Sequence, residues 1–415
     1  MKAQSPLLTQ LGLLRTHGPV LLALAVTGFV LVGVCATSVG LLLNPLMAEF
    51  KWKNAAVSSL PTVYSLAAMM SGPLAGIVID RWGSRLSMVA GTLMVAAGYG
   101  ALAYCQTLVE FYAAFLVIGV GYGGSFYLAS STLIAAQMGE QKNVSMGIWM
   151  LAGSVGAALF SLAITWQLGA YGWRKTTLVS ALLVASMVPV MLVLIPKHRP
   201  AVRNPDVSKS HFRAIPWRML VDPAFLLMSA ASAFASFGMS AVYYHAVPIL
   251  VQAGFSAPTA GAILGTSWVL SGVGSLCLGA VSNRFGVATI LRFSLLFNAI
   301  GTACLLVGAS AAFGFVAAGV FVLLWGATAN AVNQFLPILV FERFGAIHLG
   351  VLVGVQGAIM GLVGSFAPIV TGSLYDRFST YAASIVVSVI ATLVAVALTL
   401  SLRRQRSFAL TSPAQ

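Results

Sequence analysis

Charge is scarce in this chain: 7% of its 415 residues are Asp, Glu, Lys or Arg, against 59% that are hydrophobic. So few charged groups cannot cover a soluble surface, which leaves the bilayer as solvent. Acids are the rarest, at eight. The four cysteines, Cys35, Cys105, Cys277 and Cys304, fall inside apolar stretches, where they act as small apolar groups rather than as a disulfide or metal set. A glycine-rich phosphate loop is missing, and so is a nucleophile beside an oriented base. Enzyme catalysis, ATP-driven work, a metal and a cofactor are therefore not expected.

Long apolar runs are what the chain has in abundance. A spanning helix needs about 20 apolar residues. Cutting at charged and Gly/Pro-rich breaks gives twelve such runs, at 19–47, 55–79, 86–106, 108–136, 143–170, 174–195, 224–252, 258–281, 287–308, 311–339, 346–371 and 379–401. The expected fold is an all-α integral membrane protein.

Basic residues orient it. With both termini inside, 17 of the 22 Lys and Arg residues face one side, leaving Lys51, Lys53, Arg174, Lys175 and Arg377 on the other. That asymmetry predicts a multi-pass protein of the cell inner (plasma) membrane with cytoplasmic termini. The net charge of +14 is then a topology signal. Nucleic acid is not an expected partner, whereas anionic membrane lipid is. The first apolar run is too long for a cleavable signal and lacks a small-residue cleavage site.

The polar stretch 196–218 carries six basic residues and four prolines and reads as a cytoplasmic linker between six-helix halves at 1–195 and 219–415. Internal similarity supports the division. Asp80, Arg81, Trp82, Gly83, Ser84 and Arg85 form a charged turn that returns, weakened, as Asn283, Arg284, Phe285 and Gly286, 203 residues later. Gly147–Gly156 likewise resembles Gly354–Gly364. Repeats of this kind place a binding site at their interface near mid-membrane. A monomer is expected.

The segment GPLAGIVIDRWGSR at Gly72–Arg85 resembles the loop motif of the major facilitator superfamily. Gly72 and Gly76 permit close helix approach, Gly83 permits the turn, and Arg81 and Arg85 hold the loop inside. The resemblance implies the major facilitator fold and solute transport driven by gradients. It also implies that Asp80 acts as a latch on the N-terminus of the eleventh helix, with Asn283 and Arg284 as the weaker counterpart. A topology-fixing loop without a gating role is the competing reading.

Within the superfamily, Phe50, Trp52, Ala55 and Ser58, the run GVGYGGSFYLASS at Gly119–Ser131, GWR at Gly172–Arg174 and YYHAVPIL at Tyr243–Leu250 are most similar to the monocarboxylate and oxalate/formate carriers. The resemblance implies a small organic solute, with monocarboxylates as the first class, and proton symport. Three positions that carry Lys, Asp and Arg in monocarboxylate carriers are Thr37, Ser271 and Ser275 here. A carboxylate would then lack the cation that offsets its desolvation. Drug/proton antiporters place an Arg near Phe115 and a Gly-Pro pair in the fifth span, where this chain reads GIWMLAGSVG. Export of a hydrophobic or amphipathic compound is the alternative function, and a non-transporting receptor is the third.

All eight acids lie at or near the ends of apolar runs. The candidates for proton coupling are therefore His245, beside Tyr243 and Tyr244 in the seventh span, and Glu110, which begins the fourth. A hydrogen-bonded helix-end role competes for both. The candidate pathway draws on Tyr64, Tyr122, Tyr127, Tyr243, Tyr244 and His245, with Asn330, Asn333 and Gln334 as a polar stripe at i, i+3 and i+4 on the tenth span, and Gln356 on the eleventh. Interhelical hydrogen bonding is the competing reading of that stripe. Asn44, Trp149, Trp268 and Trp325 are weaker candidates.

Overall fold

The computed structural model describes residues 6–52, 54–196, 217–306, 314–346 and 348–401. Most of the proposed linker lies outside the described residues. Ten helices are long and apolar enough to cross a membrane, and a bent pair makes eleven. One of the ten, Gly139–Leu194, is interrupted at Gly172, whose φ of 76° and ψ of 169° are not helical. It therefore supplies two crossings, which gives twelve among the described residues.

In chain order these are α1 (Gly18–Phe50), the bent α2 (Ser59–Met70 and Gly72–Trp82, at 42°), α3 (Ser84–Leu102), α4 (Leu108–Gln137), α5 (142–171) and α6 (173–194). The second half holds α7 (Pro223–Gln252), α8 (Thr259–Phe285), α9 (Val287–Cys304), α10 (Gly314–Phe344), α11 (Leu349–Phe378) and α12 (Ala382–Ser401).

Local chemistry sets several helix ends. Thr107 and Glu110 form a reciprocal capping box at the start of α4. Asp222 accepts the Ala224 amide at 2.8 Å ahead of Pro223, starting α7. The turns after α2 and α8 both need a left-handed residue, and Gly83 (φ 89°) and Gly286 (φ 84°) supply it 203 residues apart.

The two halves meet through a repeated pair of crossings. A Cβ on Gly72 would lie 2.7 Å from the Gly354 carbonyl oxygen, and one on Gly76 would lie 2.3 Å from that of Gly350, so α2 and α11 touch backbone to backbone. At α5 and α8 the same arrangement returns: Gly147 faces the Ser275 carbonyl and Gly279 faces the Asn143 carbonyl. Ser275 and Gly279 lie 203 residues beyond Gly72 and Gly76, so each crossing is the other's repeat. Close backbone approach of this kind requires small residues.

A second repeated feature lies on α4 and α10. Both are wound as π-helix over one stretch, Val120–Tyr127 and Val322–Gly326, at matching positions of the two halves. π turns within an α-helix are frequent at functional sites.

At the end of the bundle where α1 stops, Glu49 accepts the Trp173 indole N–H at 2.5 Å and pairs with Arg174. Phe50 and Phe111 pack against Trp173, and Trp52 stacks on Phe50 at 4.4 Å and meets Phe111 edge-on. The aromatic outer segment and the GWR turn, far apart in sequence, thus form one clamp.

Candidate functional site

At the end of the bundle where α2 stops and α11 begins, the Asp80 carboxylate accepts the Gly350 amide at 2.8 Å and the Val351 amide at 3.0 Å. These are first-turn N–H groups of α11, unpaired within their own helix and carrying the positive end of its dipole. In the repeat, Asn283 replaces the acid and accepts instead from the Asn143 side-chain amide at 2.8 Å, in the first turn of α5. Lys142, the neighbour of Asn143, pairs with Glu342 of α10 at 2.9 Å and so adds an ion pair between the halves. Together these contacts close the Asp80 face.

The other loop residues do different work. Arg85 donates to the Leu192 carbonyl at 2.6 Å, holding α3 to the last turn of α6 within one half. In the second half Arg292 makes a similar contact, donating to the Thr399 carbonyl of α12 at 2.7 Å. Each arginine satisfies a helix-terminal carbonyl, where a cation is favoured. Arg81 and Arg284 are exposed, and the Arg284 guanidinium sits 5.4 Å from the Phe285 ring.

Deeper between the halves stand two chains of aromatic rings. On one side Tyr64 of α2 stacks with Tyr122 of α4 at 6.1 Å, Tyr122 meets Tyr127 at 6.0 Å, and Tyr127 meets Trp149 of α5 at 5.0 Å. On the other, Tyr244 and Tyr243 of α7 lie 4.8 Å apart, Tyr243 meets Trp268 of α8 at 5.2 Å, and Trp268 meets Trp325 of α10 at 6.0 Å. The chains come together where Tyr244 approaches the Ser65 side chain, next to Tyr64. The five tyrosines named from the sequence are thereby linked in one chain, with Trp268 beside Tyr243, while Trp149 and Trp325 end the two walls buried in separate packing clusters.

His245 is separated from them. Two residues along a helix from Tyr243, it turns about 200° around the axis and packs its ring 5.8 Å from Tyr381, at the head of α12. Glu110 is also remote: its carboxylate is exposed and accepts the backbone N–H groups of Gln106 and Thr107.

The polar stripe on α10 is divided. Asn330 donates to the Ser271 hydroxyl at 3.0 Å and Gln334 to the Ser275 carbonyl at 2.8 Å, so both tie α10 to α8, while Asn333 is half-buried. Gln356 is wholly buried, and neither atom of its amide has a protein partner. The Gln334 and Asn143 amide oxygens are likewise buried and unpaired. All three residues lie toward the Asp80 face: Gln334 and Asn143 both approach Gly279, and Gln356 follows Gly354 by two residues.

A buried amide left unpaired costs about 1–3 kcal/mol per group. Relieving it in Gln356→Met should therefore stabilise the closed Asp80 face, raise the melting temperature and slow turnover about tenfold, which thermal denaturation and flux in liposomes would measure. Unchanged values would mean that the amide costs the closed face no more than it costs any other state.

Sequence reasoning passed over Lys142, Asn143, Glu342 and Ser65. The signal for Asn143 was present: extending the repeat that pairs Gly147 with Gly354 back by four residues aligns Asn143 with Gly350.

The model of the Major Facilitator Superfamily matches residues 24–368. The chain belongs to that superfamily. Among curated members it is 23% identical over 268 residues to the uncharacterized MFS-type transporter YcxA of Bacillus subtilis, covering 63% of this chain and 65% of the relative. To human monocarboxylate transporter 6 it is 29% identical over 161 residues, 39% of this chain and 32% of the relative. To a multidrug resistance protein B homolog of Mycobacterium tuberculosis it is 30% identical over 194 residues, 46% and 34%. The matched part thus spans between about a third and two thirds of these relatives.

Solved superfamily members share the fold. The E. coli fucose:proton symporter superposes with a TM-score of 0.73 at 14% identity, covering 92% of this chain and 98% of that one. The human organic anion transporter MFSD10 gives 0.72 at 17% identity, covering 95% and 100%.

Proposed function

We propose that this protein is a secondary active transporter that carries a small organic solute by alternating access, with a monocarboxylate or related organic anion as the first solute class. The observation that carries the reading is the meeting of two aromatic walls, one from each half, beyond a face that is locked shut by paired crossings. A site between two halves that can rock is what alternating access requires. Tyrosine hydroxyls supply hydrogen bonds, and the rings supply an apolar surface for the body of the solute. The monocarboxylate transporters among its relatives point to the same class.

In this reading 1–195 and 219–415 are the moving halves, the Asp80 face is cytoplasmic, and the protein sits in the cell inner membrane as a monomer. The closed Asp80 face then makes this the outward-facing side of the cycle.

Export of a hydrophobic or amphipathic compound is the second reading. It is favoured by one feature: the described Asp, Glu, Lys and Arg residues all lie near helix ends or breaks, leaving the aromatic region without fixed charge. The multidrug resistance relative supports it as well.

A ligand that binds the folded state raises its apparent stability. Purified protein should therefore be stabilised by monocarboxylates with an apolar body and should carry them into liposomes, with competing anions inhibiting. Stabilisation and inhibition by neutral or cationic amphipaths alone would decide for the exporter, and binding without flux of any compound would decide for a receptor.

A further inference from the structure

Resting on the carboxylate reading above, we infer that the solute crosses as its undissociated acid and itself carries the coupled proton. Two requirements meet here. An ionised carboxylate moved into the membrane interior needs a cationic partner, or it takes up a proton instead. A coupled proton, for its part, needs a titratable carrier.

Among the described residues, none supplies either at the aromatic region. The residues there that can titrate are Tyr64, Tyr122 and Tyr127 on one wall and Tyr243 and Tyr244 on the other, with Cys35 of α1 behind them against Tyr99. Tyrosine and cysteine ordinarily titrate near pH 10 and 8.5, so these groups are neutral hydrogen-bonding partners between about pH 5 and 8. From the adjoining helices α8 and α10 come Ser271 and Asn330, already bonded to each other. Asp80 is held by α11, Lys142 and Glu342 by each other, Arg85 and Arg292 by helix-end carbonyls, and Glu110 by its own capping box. His245 faces Tyr381.

A carboxylic acid fits such a site in its neutral form. Its hydroxyl donates and its carbonyl accepts, which tyrosine hydroxyls can answer in both directions, whereas a carboxylate can only accept. The balance is simple. One proton from the water on the entry side joins one carboxylate oxygen, the neutral acid binds and crosses, and the same proton leaves in the water on the exit side. One proton moves per carboxylate, and no net charge moves.

The test uses the intact protein in liposomes, with the flux through protein-free liposomes subtracted because neutral acids also cross lipid. The probes are benzoate, a ring-substituted benzoate whose pKa is about one unit lower, and benzamide. At subsaturating total acid, carrier-dependent uptake should fall about tenfold for each pH unit above the acid's pKa, and at one pH the weaker acid should move about tenfold faster. Benzamide should compete, an imposed potassium diffusion potential should leave the rate unchanged, and the His245→Ala, Glu110→Gln double variant should keep the same pH profile.

Uptake that follows the anion concentration, or that responds to the imposed potential, overturns the inference while leaving the carboxylate carrier in place. So does a double variant that still transports but has lost its pH dependence, because the proton then belongs to the protein. Carrier-dependent flux of neutral amphipaths, with none for any acid, overturns the carboxylate reading and this inference together.

Discussion

Gly76→Val should abolish transport, lowering carrier-dependent flux at least about a hundredfold while the protein still inserts and purifies as a single species. The expectation follows from what a side chain at Gly76 would meet: its Cβ alone would lie 2.3 Å from the Gly350 carbonyl oxygen, 2.5 Å from the carbonyl carbon and 2.7 Å from the Val351 Cα. These are backbone atoms of a helix, so no rotamer change can relieve the clash. The helices must part, and with them go the Asp80 bonds to the same two residues. Overpacking commonly costs about 1–3 kcal/mol where side chains can adjust, and a backbone obstacle lies at or beyond the upper end of that range.

The control is Gly357→Ala on the same helix α11, where an added Cβ meets nothing within 4 Å and transport should stay within about twofold. Parallel flux measurements in liposomes decide the matter. Normal turnover by Gly76→Val would show that closing the Asp80 face is not part of the cycle.

That pair of glycines also shows what the sequence made legible. The twelve crossings could be read because each is a long run bounded by charge or by Gly and Pro, and because the GWR turn marks the break at Gly172. The charged loop and its copy were visible as residues, whereas the helix that Asp80 meets was implied by the loop's resemblance to the superfamily motif. The target of Arg85 was not, since Leu192 offers only its carbonyl and a carbonyl has no signature in sequence.

The aromatic region shows the same limit. Tyr243, Tyr244 and His245 are consecutive, and adjacency suggested one site. A helix turns about 100° per residue, however, so the first two reach Trp268 and Ser65 while His245 reaches Tyr381 on another side. The α10 stripe was visible as a periodicity. Its division into two interhelical ties and one half-buried amide depended on where Ser271 and Ser275 stand, and a single helix's period carries no information about its neighbour.

The two crossings are alike in packing and unlike in chemistry, and the second large prediction comes from that difference. At α2 and α11 an acid bridges two backbone N–H groups, whereas at α5 and α8 one amide meets another. Hydrogen bonds to a charged acceptor contribute about 1.5–3 kcal/mol against about 1 for neutral pairs, and a helix N-terminus adds to the former. Asp80 should therefore be the stronger of the two ties.

In Asp80→Asn one side-chain oxygen remains to accept, the other is replaced by a donor facing a donor, and the helix loses its negative partner. A loss of about 2 kcal/mol moves the closed-to-open ratio of that face roughly thirtyfold. A solute that binds when the face is closed loses apparent affinity only in proportion to the closed fraction that remains, about threefold if closure dominates at the start. Turnover, which must pass through closure in every cycle, should fall about tenfold. Asn283→Ala removes only a neutral amide contact and should lower turnover no more than about threefold, since Lys142 and Glu342 still pair beside it. Binding in detergent and flux in liposomes, measured on both variants, separate the two effects. If Asp80→Asn turns over normally at normal expression, the carboxylate fixes the loop without acting as a latch, and the interhelical glycines alone hold that face shut.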